Sequence, residues 1–148
     1  MSKPRAELPA AMLRFSKVPA ALLRAGIPLG PLYLLESRGR RSGTLHSVPV
    51  VVFRHDDGRW LVSMYGETGW VANVRDAGTA VIRRGRRAET IHCTEVTDNR
   101  RAEVAMHLRR KFGFIPFVRA AFNANPSDGP GAFQAEQRRH PAFLIARE

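Results

Sequence analysis

The sequence is poor in cysteine and in long apolar runs. Its 148 residues include one cysteine, Cys93, so no internal disulfide can form, and its five histidines share no metal-ligand spacing. No stretch approaches the roughly 18 consecutive apolar residues of a spanning helix, and the amino terminus lacks the apolar core of a signal peptide. We therefore expect a protein of the reducing cytoplasm without a metal site, in which Cys93 is a buried, inert thiol.

Motifs of several enzyme classes are also missing. The chain has no Gly-x-Ser-x-Gly elbow, no His-Glu-x-x-His, no Cys-x-x-Cys and no Gly-x-Gly-x-x-Gly after a strand. It also has no glycine-rich loop that feeds a helix and ends in Lys-Ser or Lys-Thr. Hydrolase, zinc-enzyme, Rossmann-type and P-loop functions therefore have no support in the sequence.

Positive charge, by contrast, is abundant. The chain has 24 Lys and Arg residues against 13 Asp and Glu residues, a formal net charge of +11. Such an excess implies an anionic partner, whether nucleic acid, a lipid surface or a multiply charged small molecule. The basic residues are clustered, and the clusters at 38–41 and 83–87 surround glycine turns. We expect these turns to gather arginines from strand ends in a groove between loops.

Hydrophobic patterning predicts a mainly β, α+β fold. Strands are predicted at about 32–38, 45–54, 59–65, 79–84, 87–97 and 141–147. Helices are predicted at about 70–76, between Thr68 and the stop signal Gly78, and at about 99–112, after the cap Asp98. The segment 112–122 is apolar and aromatic, and a loop is predicted at 123–131. About six short strands with inserted helices are typical of a small antiparallel barrel.

The first 31 residues are set apart from this barrel. Residues 10–25 predict a short amphipathic helix interrupted at Pro19, and 26–31 form a linker. We divide the chain into this segment, 1–31, and a barrel domain, 32–148, which is long enough to bury one core. The apolar face of the helix either packs on that core or touches a membrane surface.

Two local motifs suggest an anion site. Gly39-Arg40-Arg41-Ser42-Gly43 joins two predicted strands, and its glycines, guanidiniums and hydroxyl suit a phosphate. A solvated basic hairpin turn is the alternative. The stretch from Ser63 to Arg75 runs from a strand end through a glycine loop to a helix N-terminus, which also favours a negative group.

Trp70 and Asn73 lie three residues apart on that second stretch and share one face of the predicted helix. In the functional interpretation a ring and an amide project toward the anion site. In the structural alternative Trp70 plugs the end of the barrel and Asn73 braces a loop. The sequence leaves both interpretations open.

A family resemblance joins these motifs. Arg38-Gly-Arg-Arg-Ser-Gly43, Val48-Pro49-Val50, Tyr65-Gly66 and Trp70-Val-Ala-Asn73-Val74 resemble the deazaflavin-dependent nitroreductase family of the flavin/deazaflavin oxidoreductases. The resemblance extends from about Leu34 to Ile145. It implies a split β-barrel, a homodimer, and binding of coenzyme F-420, an 8-hydroxy-5-deazaflavin.

The resemblance also implies roles for particular residues. Arg40, Arg41, Ser42 and Gly43 would hold the cofactor phosphate. Trp70, Asn73 and Arg75 would complete the phosphate and tail region. The residues expected to line the deazaflavin ring are Val48, Pro49, Val50, Ser63, Met64 and Tyr65. Tyr65 is the one candidate for a catalytic proton donor or substrate contact, with packing against the ring as its alternative.

The implied activity is hydride transfer from reduced coenzyme F-420 to a hydrophobic electron acceptor such as a quinone, a nitro compound or an activated alkene. The short, acidic Glu67-Thr68-Gly69 loop and the later phenylalanines in place of tyrosines depart from the family pattern, so the acceptor stays open. Three alternatives remain: an FMN-binding split barrel, a non-catalytic cofactor carrier, and a basic nucleic-acid-binding module.

Overall fold

The computed structural model describes residues 32–148, which form a closed barrel of six antiparallel strands. The strands are β1 Leu32–Arg38, β2 Leu45–His55, β3 Gly58–Val62, β4 Thr79–Arg84, β5 Arg87–Val96 and β6 Ala142–Arg147. Their order around the barrel is β1, β2, β3, β6, β5, β4, and β4 pairs again with β1. The predicted fold class is therefore confirmed, while the predicted helix at 10–25 and its linker lie outside the described residues.

Four α-helices are inserted between the strands. They are α1 Gly69–Ala77, α2 Arg100–Phe112, α3 Pro116–Ala121 and α4 Pro130–Glu136, with short 3-10 turns at Pro126–Asp128 and Gln137–Arg139. The first two agree with the predicted helices to within two residues. The loop predicted at 123–131 is wrong in its last part, because α4 begins at Pro130. Proline suits the first position of a helix, and here it marks a start rather than a break.

The sequence Asp56-Asp57-Gly58, which is typical of a tight hairpin turn, joins β2 and β3. Asp56 and Asp57 have φ angles of 51° and 62°, the left-handed conformation that the central residues of a type I′ turn adopt. The strand that follows is shorter than predicted, since β3 ends at Val62 rather than near residue 65. Ser63 continues the contact with the sheet, because its amide donates to the carbonyl of Pro141 at 2.8 Å.

Two apolar cores lie on opposite faces of the sheet. Alternate residues of the strands, among them Leu35, Val50, Leu61, Ile82 and Phe143, fill the interior of the barrel, which we call the inner core. The intervening residues of β1, β2, β3 and β6 pack against α2, α3 and α4 and form the outer core; they include Leu34, Val51, Phe53, Trp60 and Val62. Burial on both faces explains why β2 has a continuous apolar run instead of alternation.

The strand pairing gives the barrel two distinct ends. The β1–β2 turn and α1 lie at one, the α1 end, where Val71 and Val74 of the helix enter the inner core. The turns at 56–57 and 85–86 lie at the other, the hairpin end. There Glu89 receives hydrogen bonds from Arg59 at 3.0 and 2.6 Å and from Arg147 at 3.3 Å. A helix therefore covers one end of the barrel and ion pairs cover the other.

Two further properties bear on the sequence predictions. Burial raises the pKa of the Cys93 thiol to about 12, so the thiolate needed for nucleophilic chemistry is not formed at neutral pH. Among residues 32–148 no helix is long and apolar enough to cross a lipid bilayer.

Candidate functional site

The β1–β2 turn forms a compact loop held by its own backbone. The amide of Gly39 donates to the carbonyl of Thr44 at 2.8 Å, and the amide of Gly43 donates to the carbonyl of Gly39 at 3.0 Å. Gly43 has φ 70°, a conformation that favours glycine. The Ser42 hydroxyl accepts the amide of Thr44 at 3.1 Å. These bonds fix the backbone of the loop that carries the exposed side chains of Arg40 and Arg41.

The N-terminus of α1 faces this turn with an incomplete cap. Thr68 occupies the N-cap position but makes no side-chain capping bond, and its buried Oγ1 has no hydrogen-bond partner among the described residues. The first turn of α1 contains no acidic residue. Unpaired amides and the helix dipole make such a terminus attractive to an anion. The predicted cap at Thr68 is therefore correct in position but lacks the expected bond.

A cleft of about 430 Å³ opens between the turn, the start of β2 and the start of α1. Its lining residues, in chain order, are Gly39, Arg40, Arg41, Ser42, His46, Val48, Thr68, Gly69, Trp70 and Asn73. No carboxylate is among them. Neither Arg40 nor Arg41 forms an ion pair with any residue between 32 and 148. The cleft thus combines two uncompensated guanidiniums with a helix N-terminus.

Trp70 and Asn73 both line the cleft and make structural contacts, so each of the two interpretations of the sequence describes part of their position. Trp70 also packs against Phe143 of the inner core, with ring centroids 5.9 Å apart. Asn73 is 7% exposed, and its Nδ2 donates to the Oγ of Ser37 on β1 at 3.3 Å. Asn73 therefore braces α1 against the barrel, while its carboxamide borders the cleft.

Six of the predicted site residues line the cleft: Arg40, Arg41, Ser42, Val48, Trp70 and Asn73. The other predicted residues lie elsewhere. Gly43 shapes the turn, Pro49 pairs with Leu34, and Val50 is buried in the inner core. Met64 is buried in the outer core and Tyr65 packs against it, half-buried.

Ser63 and Arg75 are occupied by structural contacts. The Ser63 hydroxyl donates to the carbonyl of Gly66 at 2.6 Å and shapes the loop before α1. Arg75 donates to Glu95 at 2.7 and 2.9 Å and to Glu67 at 2.6 and 3.2 Å. Hydrogen bonds to Glu95 first, and to Glu67 second, raise the pKa of Arg75. Arg75 therefore ties α1 to β5 and does not add to the charge of the cleft.

A buried polar pair supports the loop that leads into α1. His140 is fully buried, and its Nδ1 lies 3.1 Å from the carbonyl oxygen of Ser63. The Glu136 carboxylate lies 3.7 Å from Nε2 of the same ring and accepts the amides of Asn123 and Ala124 at 3.2 and 2.9 Å. Burial acts against the charged form of Glu136, yet the adjacent His140 ring and the hydrogen bonds from the two amides outweigh it and lower its pKa.

The sequence missed several residues at the cleft. Ser37, His46 and Gly69 were not predicted as site residues, although Ser37 braces Asn73 and the other two line the cleft. The period of a strand could have indicated His46, because residues two apart share a face and Val48 was predicted. Ser37 bonds a residue 36 positions away, and no local pattern indicates such a partner.

The two glycine turns do not meet, so the expected groove between them was wrong. Leu34 pairs with Arg83 and Glu36 with Val81 in the antiparallel β1–β4 ladder, which places the turn at 85–86 at the hairpin end. Arg83 there donates to Glu36 at 2.8 Å, and Arg84 lies over the ring of Tyr33.

A known protein family matches most of the chain. A family model described as F420H(2)-dependent quinone reductase matches residues 14–113. No curated protein sequence matches the chain.

Solved structures of low sequence identity share the fold. An F420-H2 dependent reductase, FDR-A, has a TM-score of 0.52 at 13% identity, covering 80% of this chain and 97% of its own. A structure described as a domain-swapped dimer has a TM-score of 0.54 at 12% identity and covers 92% and 96%. A putative pyridoxamine 5′-phosphate oxidase from Listeria innocua has a TM-score of 0.52 at 11% identity and covers 90% and 94%. At these identities the likeness establishes the fold alone.

Replacing Ser37 by Ala should loosen α1. The substitution leaves the buried Asn73 amide without its partner, which costs about 1–3 kcal/mol of the free energy of unfolding. Chemical denaturation measures this loss, and Ser47→Ala on β2, whose hydroxyl makes no recorded bond among the described residues, is the control. Equal stability of the two variants would show that the Asn73–Ser37 bond does not hold the helix.

Proposed function

The chain belongs to the F420H(2)-dependent quinone reductase family, and we propose that the cleft between the β1–β2 turn and α1 binds the anionic arm of coenzyme F-420. The family assignment makes the chain a reductase that uses the reduced form of this cofactor. The observation that supports the binding site is the convergence of Arg40, Arg41 and the α1 N-terminus on one cleft without a carboxylate.

The donors of the cleft fit a phosphodiester. A phosphodiester accepts several hydrogen bonds, and one planar guanidinium can donate two parallel hydrogen bonds to its oxygens. Arg40 and Arg41 have no competing ion pair among residues 32–148, and Ser42 adds a hydroxyl. The buried Thr68 Oγ1 without a partner provides one more donor, so a bound anion would satisfy a group that the protein leaves unsatisfied.

The remaining lining residues fit the other requirements of hydride chemistry. When bound, reduced coenzyme F-420 supplies a hydride directly to an electrophilic acceptor, so no side-chain nucleophile is needed. Val48 and Trp70 give the cleft an apolar wall that excludes water beside a flat ring. Trp70 is fixed by Phe143 and the helix by Asn73, so the cleft is held in shape before a ligand arrives. We assign Tyr65 no step, because it packs against the outer core.

The acceptor in this proposal is a quinone. The family description supports this class, and an apolar acceptor suits the apolar wall beside the anion site. Nitro compounds and activated alkenes accept hydride by the same chemistry and are the substrates to compare.

Turnover tests the proposed function. Purified protein, reduced coenzyme F-420 and a soluble naphthoquinone should give protein-dependent reoxidation of the deazaflavin, followed by its visible absorbance. Reduced FMN in place of the deazaflavin should support little or no quinone reduction. Reoxidation no faster than in a protein-free mixture, or equal rates with FMN, would contradict the proposal.

Arg41 should contribute strongly to cofactor affinity. A charge-assisted bond to phosphate is worth about 1.5–3 kcal/mol, so Arg41→Ala should weaken binding by about tenfold to a hundredfold. Fluorescence titration with coenzyme F-420 measures the dissociation constant. Arg86→Ala is the matched control, because Arg86 lies beside the glycine turn at the hairpin end and should leave affinity unchanged. The same loss in both variants would reduce the role of Arg41 to general charge.

We also propose that the protein is a homodimer. A structure with this fold is described as a domain-swapped dimer, and its chain is covered over 96% of its length. Multi-angle light scattering should give twice the chain mass of 16.5 kDa at micromolar concentration. A mass of one chain would contradict the dimer and would leave the cleft, which is formed by one chain, unaffected.

A further inference from the structure

His46 is the one histidine among the residues that line the cleft, and histidine is the side chain type that serves proteins as a switch near neutral pH. It stands on β2 two residues before Val48, so the two side chains share the face of the strand that borders the cleft. A Cβ atom at position 39 would lie 3.2 Å from Nε2 of His46 and 2.9 Å from Oγ of Ser42. Glycine at that position keeps open the space in which the imidazole meets the turn.

The residues that line the cleft with His46 are positively charged or neutral. The β1–β2 turn presents Arg40 and Arg41. From β1, Ser37 stands opposite in register, and the Glu36 carboxylate is occupied by Arg83.

The helix adds no negative charge either. The start of α1 contributes Thr68, Trp70 and Asn73, and the acidic Glu67 before it is held by Arg75. Within residues 32–148 His46 makes no recorded hydrogen bond or ion pair.

We propose that protonation of His46 makes cofactor binding stronger as the pH falls, because the protonated imidazole adds a positive charge to the cleft beside Arg40 and Arg41. This inference rests on the proposed function, because the anion is the phosphodiester and carboxylate arm of coenzyme F-420. A bound anion gives the N–H groups of the protonated ring a charged acceptor.

The sign of the effect follows from linkage. If protonated His46 binds the anion better than neutral His46, then anion binding takes up a proton in the range where imidazole titrates, about pH 5 to 8. The phosphodiester and the carboxylates of the ligand stay ionised above about pH 5, so their charge does not change in this range. Affinity should therefore increase as the pH is lowered. The cleft is open to solvent, and the expected gain is about five- to tenfold.

A comparison of three proteins separates the contribution of His46 protonation to cofactor affinity from that of the other cleft residues. Coenzyme F-420 is titrated by fluorescence into the wild type, His46→Gln and His46→Arg between about pH 5.5 and about pH 8.5. The wild type should approach the affinity of His46→Arg at low pH and that of His46→Gln at high pH. The ring hydroxyl of the cofactor titrates alike in all three complexes, so ratios of affinity at each pH remove its contribution.

Proton uptake gives a second readout. At about pH 7 the binding enthalpy of the wild type should depend more steeply on the ionisation enthalpy of the buffer than that of His46→Gln, in the direction of proton uptake. His92→Gln is the control for a histidine outside the cleft, because His92 is an exposed residue of β5, and it should behave as the wild type.

Parallel pH curves for the wild type and His46→Gln would overturn the role of His46 and leave the cofactor site standing. If none of the proteins bound coenzyme F-420 at any pH, the proposed function would fall and this inference with it.

Discussion

The barrel interior must be covered at both ends, and the way in which one end is covered creates the candidate site. At the hairpin end Glu89 and two arginines form ion pairs across the opening. At the α1 end Val71 and Val74 enter the inner core, so a helix must lie across the opening. Its N-terminus then points beside the β1–β2 turn, and the polar groups of a helix start become the lining of a cleft. The packing of Val71 and Val74 thus places the helix N-terminus beside the turn.

The arginines of this chain fall into two groups that composition cannot distinguish. Arg59, Arg75 and Arg83 each pair with a carboxylate and hold elements of the barrel together. Arg40 and Arg41 have no such partner among the described residues, although the chain has carboxylates elsewhere. A cation left uncompensated at a fixed loop is more informative about ligand binding than the net charge of +11, because paired arginines contribute little field at a distance.

The sequence predicted the elements well and their meeting points less well. Turn signals such as Asp56-Asp57-Gly58 and Gly78 are local, and the structure has a turn or a helix end at each. The expected meeting of two arginine turns was wrong, because which ends of β1 and β4 adjoin depends on pairing between distant segments. In β2 both faces are buried, so its apolar run did not reveal that Val48 borders the cleft while Val50 lies in the inner core.

The unsatisfied groups of the cleft connect stability with function. Three features of the cleft destabilise the free protein. They are two neighbouring guanidiniums without a carboxylate, the buried Thr68 hydroxyl without a hydrogen-bond partner among the described residues, and a helix start without an acidic residue. Glu67, one residue before the N-cap, could relieve part of this cost, but its carboxylate accepts hydrogen bonds from Arg75 instead. Arg75 therefore binds two carboxylates, Glu95 on β5 and Glu67 before the helix. The Glu67 carboxylate is thus occupied, and an anion bound in the cleft would stabilise the folded protein by accepting from the donors left there.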